Sequence, residues 1–163
     1  MERPRVVFDC MIFLQAAARP MGPAAALLEL VEVGALELLV SDACIEELRE
    51  VLTRPSLQRK FPSLSISAVQ DFLDRIQACS VYSVNIANIF VLERDPKDAK
   101  YVDLAIATKA DFLVTRDKDL LDLRNPSGQL GHCITISPYK EVPQHITVFS
   151  GYNLGYPFKR EVV

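Results

Sequence analysis

The sequence contains few of the residues on which several familiar kinds of site depend. It has only two histidines, His132 and His145, which makes a histidine-rich metal site or a histidine-based catalytic triad a poor explanation of its chemistry. Its four cysteines are widely scattered and form no C-x-x-C pair: Cys10, Cys44, Cys79 and Cys133. Zinc fingers and disulfide scaffolds have closer spacing, so we expect reduced, mostly buried thiols.

Long hydrophobic runs and a surplus of positive charge are also missing. The longest apolar stretch, residues 24–33, is interrupted by Glu29 and Glu32 and is too short to span a membrane. Residues 1–5 contain no apolar targeting segment or small-residue cleavage site, which favours a cytoplasmic protein. The net charge of −3 argues against a general basic field for nucleic acids, so such binding would need a local basic patch or a bound metal.

What the sequence does contain is an alternation of strand and helix patterns, in a length of 163 residues that suits one domain. Short β-type runs predict strands at residues 6–8, 36–40, 81–84, 112–115 and 133–136. Periodicity and capping residues predict helices at residues 24–33, 43–53, 65–79, 99–110 and 117–123. This alternation is typical of an α/β domain whose parallel sheet is covered on both faces.

Three acidic residues occupy equivalent places in this pattern. Asp9 and Asp117 follow predicted strands, and Asp98 opens a predicted helix. In an open parallel sheet the carboxyl ends of the strands meet at one crevice, where ligands bind. Clustered carboxylates repel one another unless a cation neutralises them, and hard oxygen ligands favour Mg²⁺ or Mn²⁺. Such a metal activates water and stabilises the charge on a phosphodiester during displacement.

A simpler interpretation of the same acids remains open. Each of Asp9, Asp98 and Asp117 stands where a helix N-cap would stand. Asp9 argues best against a mere cap, because an acid inside the apolar segment of residues 6–13 needs a strong reason to be there. Glu47 lies beside Glu46 in a predicted helix, and such pairs usually form a solvated face.

Four sequence motifs, taken in order, resemble those of the PIN-domain family, the metal-dependent ribonucleases that include the VapC-like toxins of toxin–antitoxin pairs. The resemblance covers residues 5–142. We take residues 1–142 as the domain and residues 143–163 as a tail expected to pack on the domain or on a partner. The motifs are Val6-Val7-Phe8-Asp9, SDACIEELREVL at residues 41–52, DPKDAKYVDLA at residues 95–105, and ADFLVTRDKDL at residues 110–120.

The resemblance implies a three-layer α/β/α sandwich with a five-stranded parallel sheet. It also implies a divalent-metal-dependent endoribonuclease whose acids are Asp9, Glu47, Asp98 and Asp117, with Asp9, Asp98 and Asp117 binding Mg²⁺ or Mn²⁺. Asp119 would be an auxiliary acid, whereas Asp103 sits further along its helix. A small antitoxin partner and a homodimer are expected. Met11 departs from the pattern, since the family usually has a polar residue there, and a thioether cannot replace an amide's hydrogen bonds.

Several residues near the predicted acids are candidates for RNA contacts, and each also has an ordinary structural interpretation. Arg116 and Lys118 are adjacent to Asp117, and Arg54 belongs to a basic stretch that would contact phosphates or simply form a solvated face. Thr115 either orients Asp117 with its hydroxyl or merely ends a strand. Two other functions stay open: a non-catalytic RNA- or protein-binding module, motivated by Met11, and a phospho-receiver domain. The second lacks a lysine near residues 134–138 before Lys140.

Overall fold

The computed structural model describes residues 3–124 and 135–138. Its parallel sheet has the strand order β3-β2-β1-β4-β5. The strands are β1 (Arg5–Phe8), β2 (Glu37–Val40), β3 (Ser80–Tyr82), β4 (Phe112–Thr115) and β5 (Thr135–Pro138). The helices are α1 (Cys10–Ala18), α2 (Pro23–Glu32), α3 (Asp42–Leu52), α4 (Pro55–Lys60), α5 (Ile66–Cys79), α6 (Ala99–Ala107) and α7 (Lys118–Leu121). The predicted α/β class with a parallel sheet is confirmed.

The central strands are covered on both faces. Successive side chains of a strand point to opposite faces, yet Val6, Val7 and Phe8 of β1 are all buried. Leu38–Val40 of β2 and Leu113–Thr115 of β4 show the same continuous burial. Helix α6 contacts β1, β2 and β4, and α1 contacts β1 and β4. Helices therefore pack against the middle of the sheet, as expected when the sequences of parallel strands are continuously apolar.

Helix α1 was not predicted from the sequence. Residues 11–14 read only as a continuation of the apolar strand, but the chain forms a helix from Cys10 that buries Ile12, Phe13 and Ala16. A helix that is apolar on nearly all sides carries no periodic signal that separates it from a strand. Its start is nonetheless local, because the Asp9 side chain accepts a hydrogen bond from the Ile12 N–H at 2.9 Å.

Most other helix boundaries lie close to the predicted ones, and local backbone features explain where the helices begin and end. Ser65 caps α5 by accepting from the Ala68 N–H, and Gly34 ends the turn after α2 with a positive φ of 74°. Helix α4 was not among the predicted helices. Pro55 follows the end of α3 and stands in the first turn of α4, where a missing N–H costs nothing. Helix α6 ends at Ala107, because Lys109 adopts a φ of 54°.

Some predictions fall at the edge of the described residues or beyond it. The last strand is described at Thr135–Pro138, and the first two residues of its predicted range of 133–136 lie outside the described residues. Cys133, both histidines and the aromatic tail of residues 143–163 lie outside the described residues. Of the described cysteines, Cys10 and Cys44 are buried free thiols and Cys79 is a half-buried one.

No single helix among the described residues is long and apolar enough to cross a membrane. Only α1 and α2 taken together pass that test of length and composition, and the two are bent by 100° at the break between them.

Candidate active site

Neighbouring strands bring the first and last predicted acids to the same edge of the sheet. Strand β1 pairs with β4 in parallel, with Phe8 opposite Val114. Asp9 follows β1, and Asp117 follows β4 with Thr115 and Arg116 between it and Val114. The Asp9 N–H also donates to the Val114 carbonyl at 3.1 Å, which fixes the two chain segments where they leave the sheet.

Thr115 connects these two acids through its side chain. Its hydroxyl donates a hydrogen bond to Asp9 Oδ2 and accepts one from the Asp117 N–H at 2.8 Å. The residue is fully buried, so the hydroxyl has no competing water. Of the two interpretations of Thr115, the structure supports an orienting role, and the hydroxyl acts on Asp9 as well as on the backbone of Asp117.

Asp9 is a buried carboxylate surrounded by donors. It is 3% exposed and accepts from the N–H groups of Ile12 at 2.9 Å and Arg116 at 3.3 Å, besides the Thr115 hydroxyl. Burial raises the pKa of Asp9, while these hydrogen bonds act in the opposite direction without cancelling it. Asp9 is therefore both the N-cap of α1 and a side chain at the carboxyl edge of the sheet.

Asp117 also caps a helix, whereas Asp98 does not. Asp117 accepts from the N–H groups of Asp119 and Leu120 at the start of α7. Asp98 stands at the N-cap position of α6, but its side chain makes no capping hydrogen bond. Within the described residues the Asp98 carboxylate has no hydrogen bond or ion pair. The capping interpretation accordingly accounts for Asp9 and Asp117 and fails for Asp98.

The electrostatics of Asp98 place the four predicted acids near one another. Burial raises its pKa from 3.8 to about 7, and the negative charges of surrounding carboxylates contribute to the same shift. Those carboxylates belong to Asp95, Asp117, Asp9 and Glu47. We call Asp9, Glu47, Asp98 and Asp117 the carboxylate cluster. Its members come from four separate segments of the chain, and each of the other three raises the cost of ionising Asp98.

Glu47 reaches the cluster from α3 and is not part of a solvated face. Its neighbour Glu46 is exposed, but the Glu47 side chain is only 20% exposed. The Tyr101 hydroxyl donates to Glu47 Oε2, and the Lys100 ammonium lies 3.1 Å from the same oxygen. Burial raises the pKa of Tyr101, so its hydroxyl stays protonated and remains a donor.

Lys100 and Tyr101 were missed in the sequence analysis. Both lie in the first turn of α6, two and three residues after Asp98, and both meet Glu47 across the α3–α6 contact. A tyrosine in an apolar helix needs a partner for its hydroxyl, which is the one sequence signal that pointed to such a contact. Lys100 carried no signal of its own, because a lysine near a helix start is usually solvated.

Two further acids of the motifs, Asp103 and Asp119, have structural partners. Asp103 is 4% exposed and accepts from the N–H groups of Ile89 at 3.1 Å and Phe90 at 2.8 Å. It therefore ties the irregular segment before α6 to the helix. Asp119 forms an ion pair with Arg94 at 3.0 Å.

The candidate RNA-contacting residues lie on the outside of this edge. Arg54 is exposed and pairs with Glu50 one helical turn away, at 3.0 Å. Lys118 and the Arg116 side chain are exposed beside Asp117. Met11 is 42% exposed in the first turn of α1, two residues after Asp9. These placements leave the residues accessible without assigning them a ligand.

The donor atoms of the cluster fit a hard divalent cation, but the present positions of the side chains do not. The cluster offers only carboxylate oxygens, and burial raises the pKa of the neighbouring Cys10 thiol to about 12, so a thiolate ligand is not available. Yet no group of three or more His, Cys, Asp or Glu side chains within residues 3–124 and 135–138 is placed to hold one metal ion. Asp9 is turned to its own donors and Glu47 to Lys100 and Tyr101.

The chain is an α/β domain with acids gathered at the carboxyl edge of its parallel sheet. A family model described as PIN domain matches residues 5–119. The chain belongs to the PIN-domain family. PIN domains are generally nucleases that use divalent metals, which supports a hydrolase. Comparisons with curated proteins and with solved structures gave no significant match.

Proposed function

We propose that this protein is a divalent-metal-dependent endoribonuclease that uses Mg²⁺ or Mn²⁺. The observation that carries the proposal is Asp98. Its half-buried carboxylate has no partner among the described residues, and three other acids of the cluster lie near enough to raise its pKa. A position that is costly for an unaccompanied anion is favourable once a cation is bound.

The residues of the cluster would have different roles in the reaction. Asp9, Asp98 and Asp117 would hold the cation, and Glu47 would complete the acidic pocket. The bound cation supplies an activated water and stabilises the charge that builds on the phosphodiester. Thr115 orients Asp9 through its hydroxyl, and Lys100 with Tyr101 fixes the Glu47 carboxylate.

The direct test uses the acids one at a time. Asp9→Asn, Asp98→Asn and Asp117→Asn each keep the shape of the side chain and remove its charge. We expect each to abolish Mn²⁺-dependent cleavage of a single-stranded RNA while leaving the circular dichroism spectrum unchanged. Asp71→Asn is the matched control, because Asp71 is exposed on α5. Full activity in folded Asp9→Asn and Asp117→Asn would remove the cluster from the reaction.

A second candidate function is a weakened PIN-fold module that binds RNA or protein without turnover. It is favoured by Met11, whose exposed thioether stands in the first turn after Asp9 and supplies no hydrogen bond to a neighbouring ligand or water. Met11→Asn tests it. A marked gain of cleavage in the variant, from a nearly inactive parent, would favour the weakened module.

The likeness to VapC-like toxins extends the proposal to partners: a small antitoxin protein and a second copy of this chain. Its support is the sequence motifs alone. Growth arrest on expression of the chain, relieved by a co-expressed neighbouring reading frame and absent in Asp117→Asn, would support the toxin role. Harmless expression of an active nuclease would contradict it.

A further inference from the structure

A cavity with a mixed polar and apolar lining opens at the same edge of the sheet as the carboxylate cluster. Its volume is about 220 Å³, and it lies beyond the ends of β2 and β3, which are neighbours with Val40 opposite Tyr82. Ser41 follows β2 and Ser83 follows β3, and both line the cavity. Crevices beyond the carboxyl ends of parallel strands are the usual ligand sites of such sheets.

One wall of the cavity is the start of α3. Asp42 and Ala43 from the first turn line it, and the Ser41 side chain does not cap the helix. The segment after β3 also lines the cavity and contributes Asn85 and Asn88. Both asparagines are exposed, and their amide groups make no hydrogen bond among the described residues. The cavity therefore presents free donors and acceptors together with a helix N-terminus.

Lys100 joins this cavity to the carboxylate cluster. It lines the cavity, and its ammonium lies 3.1 Å from Glu47 Oε2 and 5.6 Å from the centre of the Tyr101 ring. The Lys100 side chain is 22% exposed, so it is held between the two sites instead of extending into solvent. A cation between the two sites is suited to contact a phosphate that bridges them.

We infer that this cavity is a nucleotide subsite for the substrate of the proposed nuclease, and the inference rests on that proposed function. A base next to the cleaved bond enters the cavity and hydrogen-bonds to Asn85 and Asn88, while Lys100 contacts its phosphate. The cavity admits one unstacked base and not a duplex. Such a base is available in single-stranded RNA, whose splayed bases expose their hydrogen-bonding edges.

Binding is best measured apart from cleavage. The full-length Asp117→Asn chain, without divalent cation, is titrated with a labelled single-stranded oligoribonucleotide at several salt concentrations. Adding Lys100→Met weakens binding by about tenfold and reduces the magnitude of the salt slope by about one, because one phosphate contact is lost. Adding Asn88→Ala weakens binding about fivefold and leaves the salt slope unchanged, because only neutral hydrogen bonds are removed.

Lys109→Met is the matched control. Lys109 is exposed and precedes β4, so it stands at the opposite edge of the sheet, and its replacement leaves both affinity and salt slope unchanged. Unaltered affinity in both Lys100→Met and Asn88→Ala, with melting temperatures like that of the parent, overturns the subsite. Preference for a duplex over a single strand overturns it as well.

The two proposals fail in different ways. Cleavage by the wild-type chain together with unchanged binding in the subsite variants contradicts the subsite alone. Absence of Mn²⁺-dependent cleavage in the wild-type chain contradicts the proposed function, whatever the binding assay gives.

Discussion

The hydroxyl of Thr115 donates a hydrogen bond to the carboxylate of Asp9 across the β1–β4 pair. Both side chains are buried, and the same hydroxyl accepts from the Asp117 N–H. A single side chain thus fixes one acid directly and the backbone of another. The relationship makes Thr115 a positioning residue whose removal is testable.

Thr115→Val keeps the volume of the side chain and removes the hydroxyl. It leaves a buried carboxylate and a backbone N–H each without one partner, so we expect a loss of about 1–3 kcal/mol of unfolding free energy. Mn²⁺-dependent cleavage should fall further than this destabilisation explains. Thr115→Ser retains the hydroxyl and should recover most of the activity. Equal activity in folded Val and Ser variants would contradict the positioning role.

The electrostatic state of Asp98 predicts a pH dependence. Its pKa rises from 3.8 in a free aspartate to about 7 in the folded chain. Below the lower value the group is protonated in both states. As pH rises between the two values the unfolded chain loses this proton first, so the metal-free protein loses stability over that window. A cation binds the ionised form, so Mn²⁺ should raise the melting temperature more at about pH 8 than at about pH 5.5.

The control for this pH dependence is Asp98→Asn, which removes the titrating group. In that variant the decline of metal-free stability over the same window should be smaller, and the stabilisation by Mn²⁺ should be largely lost at both pH values. Melting temperatures from differential scanning calorimetry, with and without Mn²⁺, test whether Asp98 causes this pH dependence. An identical pH profile in wild type and variant would show that Asp98 does not titrate as described.

The contrast between Glu46 and Glu47 gives a paired test on one helix. Glu46→Gln alters an exposed residue and should change stability by no more than about 0.5 kcal/mol, with activity retained. Glu47→Gln removes the negative charge that pairs with Lys100 and accepts a hydrogen bond from the Tyr101 hydroxyl. Cleavage should therefore fall sharply. Cleavage rates and urea unfolding check both. Equal effects of the two substitutions would contradict the assignment of Glu47 to the cluster.

Asp103 is expected to matter for structure and not for metal binding. Asp103→Ala removes the acceptor for the Ile89 and Phe90 N–H groups, and we expect a loss of about 1–3 kcal/mol. Hydrogen exchange at these two amides should accelerate more than exchange in β1 or β4. Unchanged protection of both amides would show that the segment before α6 is held in another way.

The parts of the fold that could be predicted from sequence were those with local signals. Strand β4 was predicted at its observed bounds, since four apolar and β-branched residues stand between a turn and an acid. Helix α5 was predicted from its apolar stripe and a serine cap at Ser65 or Ser67, of which Ser65 is the one observed. Helix α1 was missed, because a nearly uniform apolar segment has no period.

The candidate site also has residues that local sequence signals reveal and contacts that depend on how distant segments pack. Asp9, Asp98 and Asp117 were found because each stands at a strand end or a helix start, which sequence patterns reveal. The contacts of Glu47 with Lys100 and Tyr101 depend on how α3 packs beside α6, and these residues are about fifty positions apart in the chain. Thr115 could be named as a candidate, but its hydrogen bond to Asp9 required the parallel pairing of β1 and β4.

The most direct measurement is anomalous X-ray scattering from a crystal soaked in Mn²⁺. The account predicts a peak bounded by the carboxylates of Asp9, Asp98 and Asp117, with these side chains turned toward it and away from their present partners, and no such peak in Asp98→Asn. Well-ordered carboxylates of all three residues with no shared peak at saturating Mn²⁺ would contradict the metal site and the nuclease proposed from it.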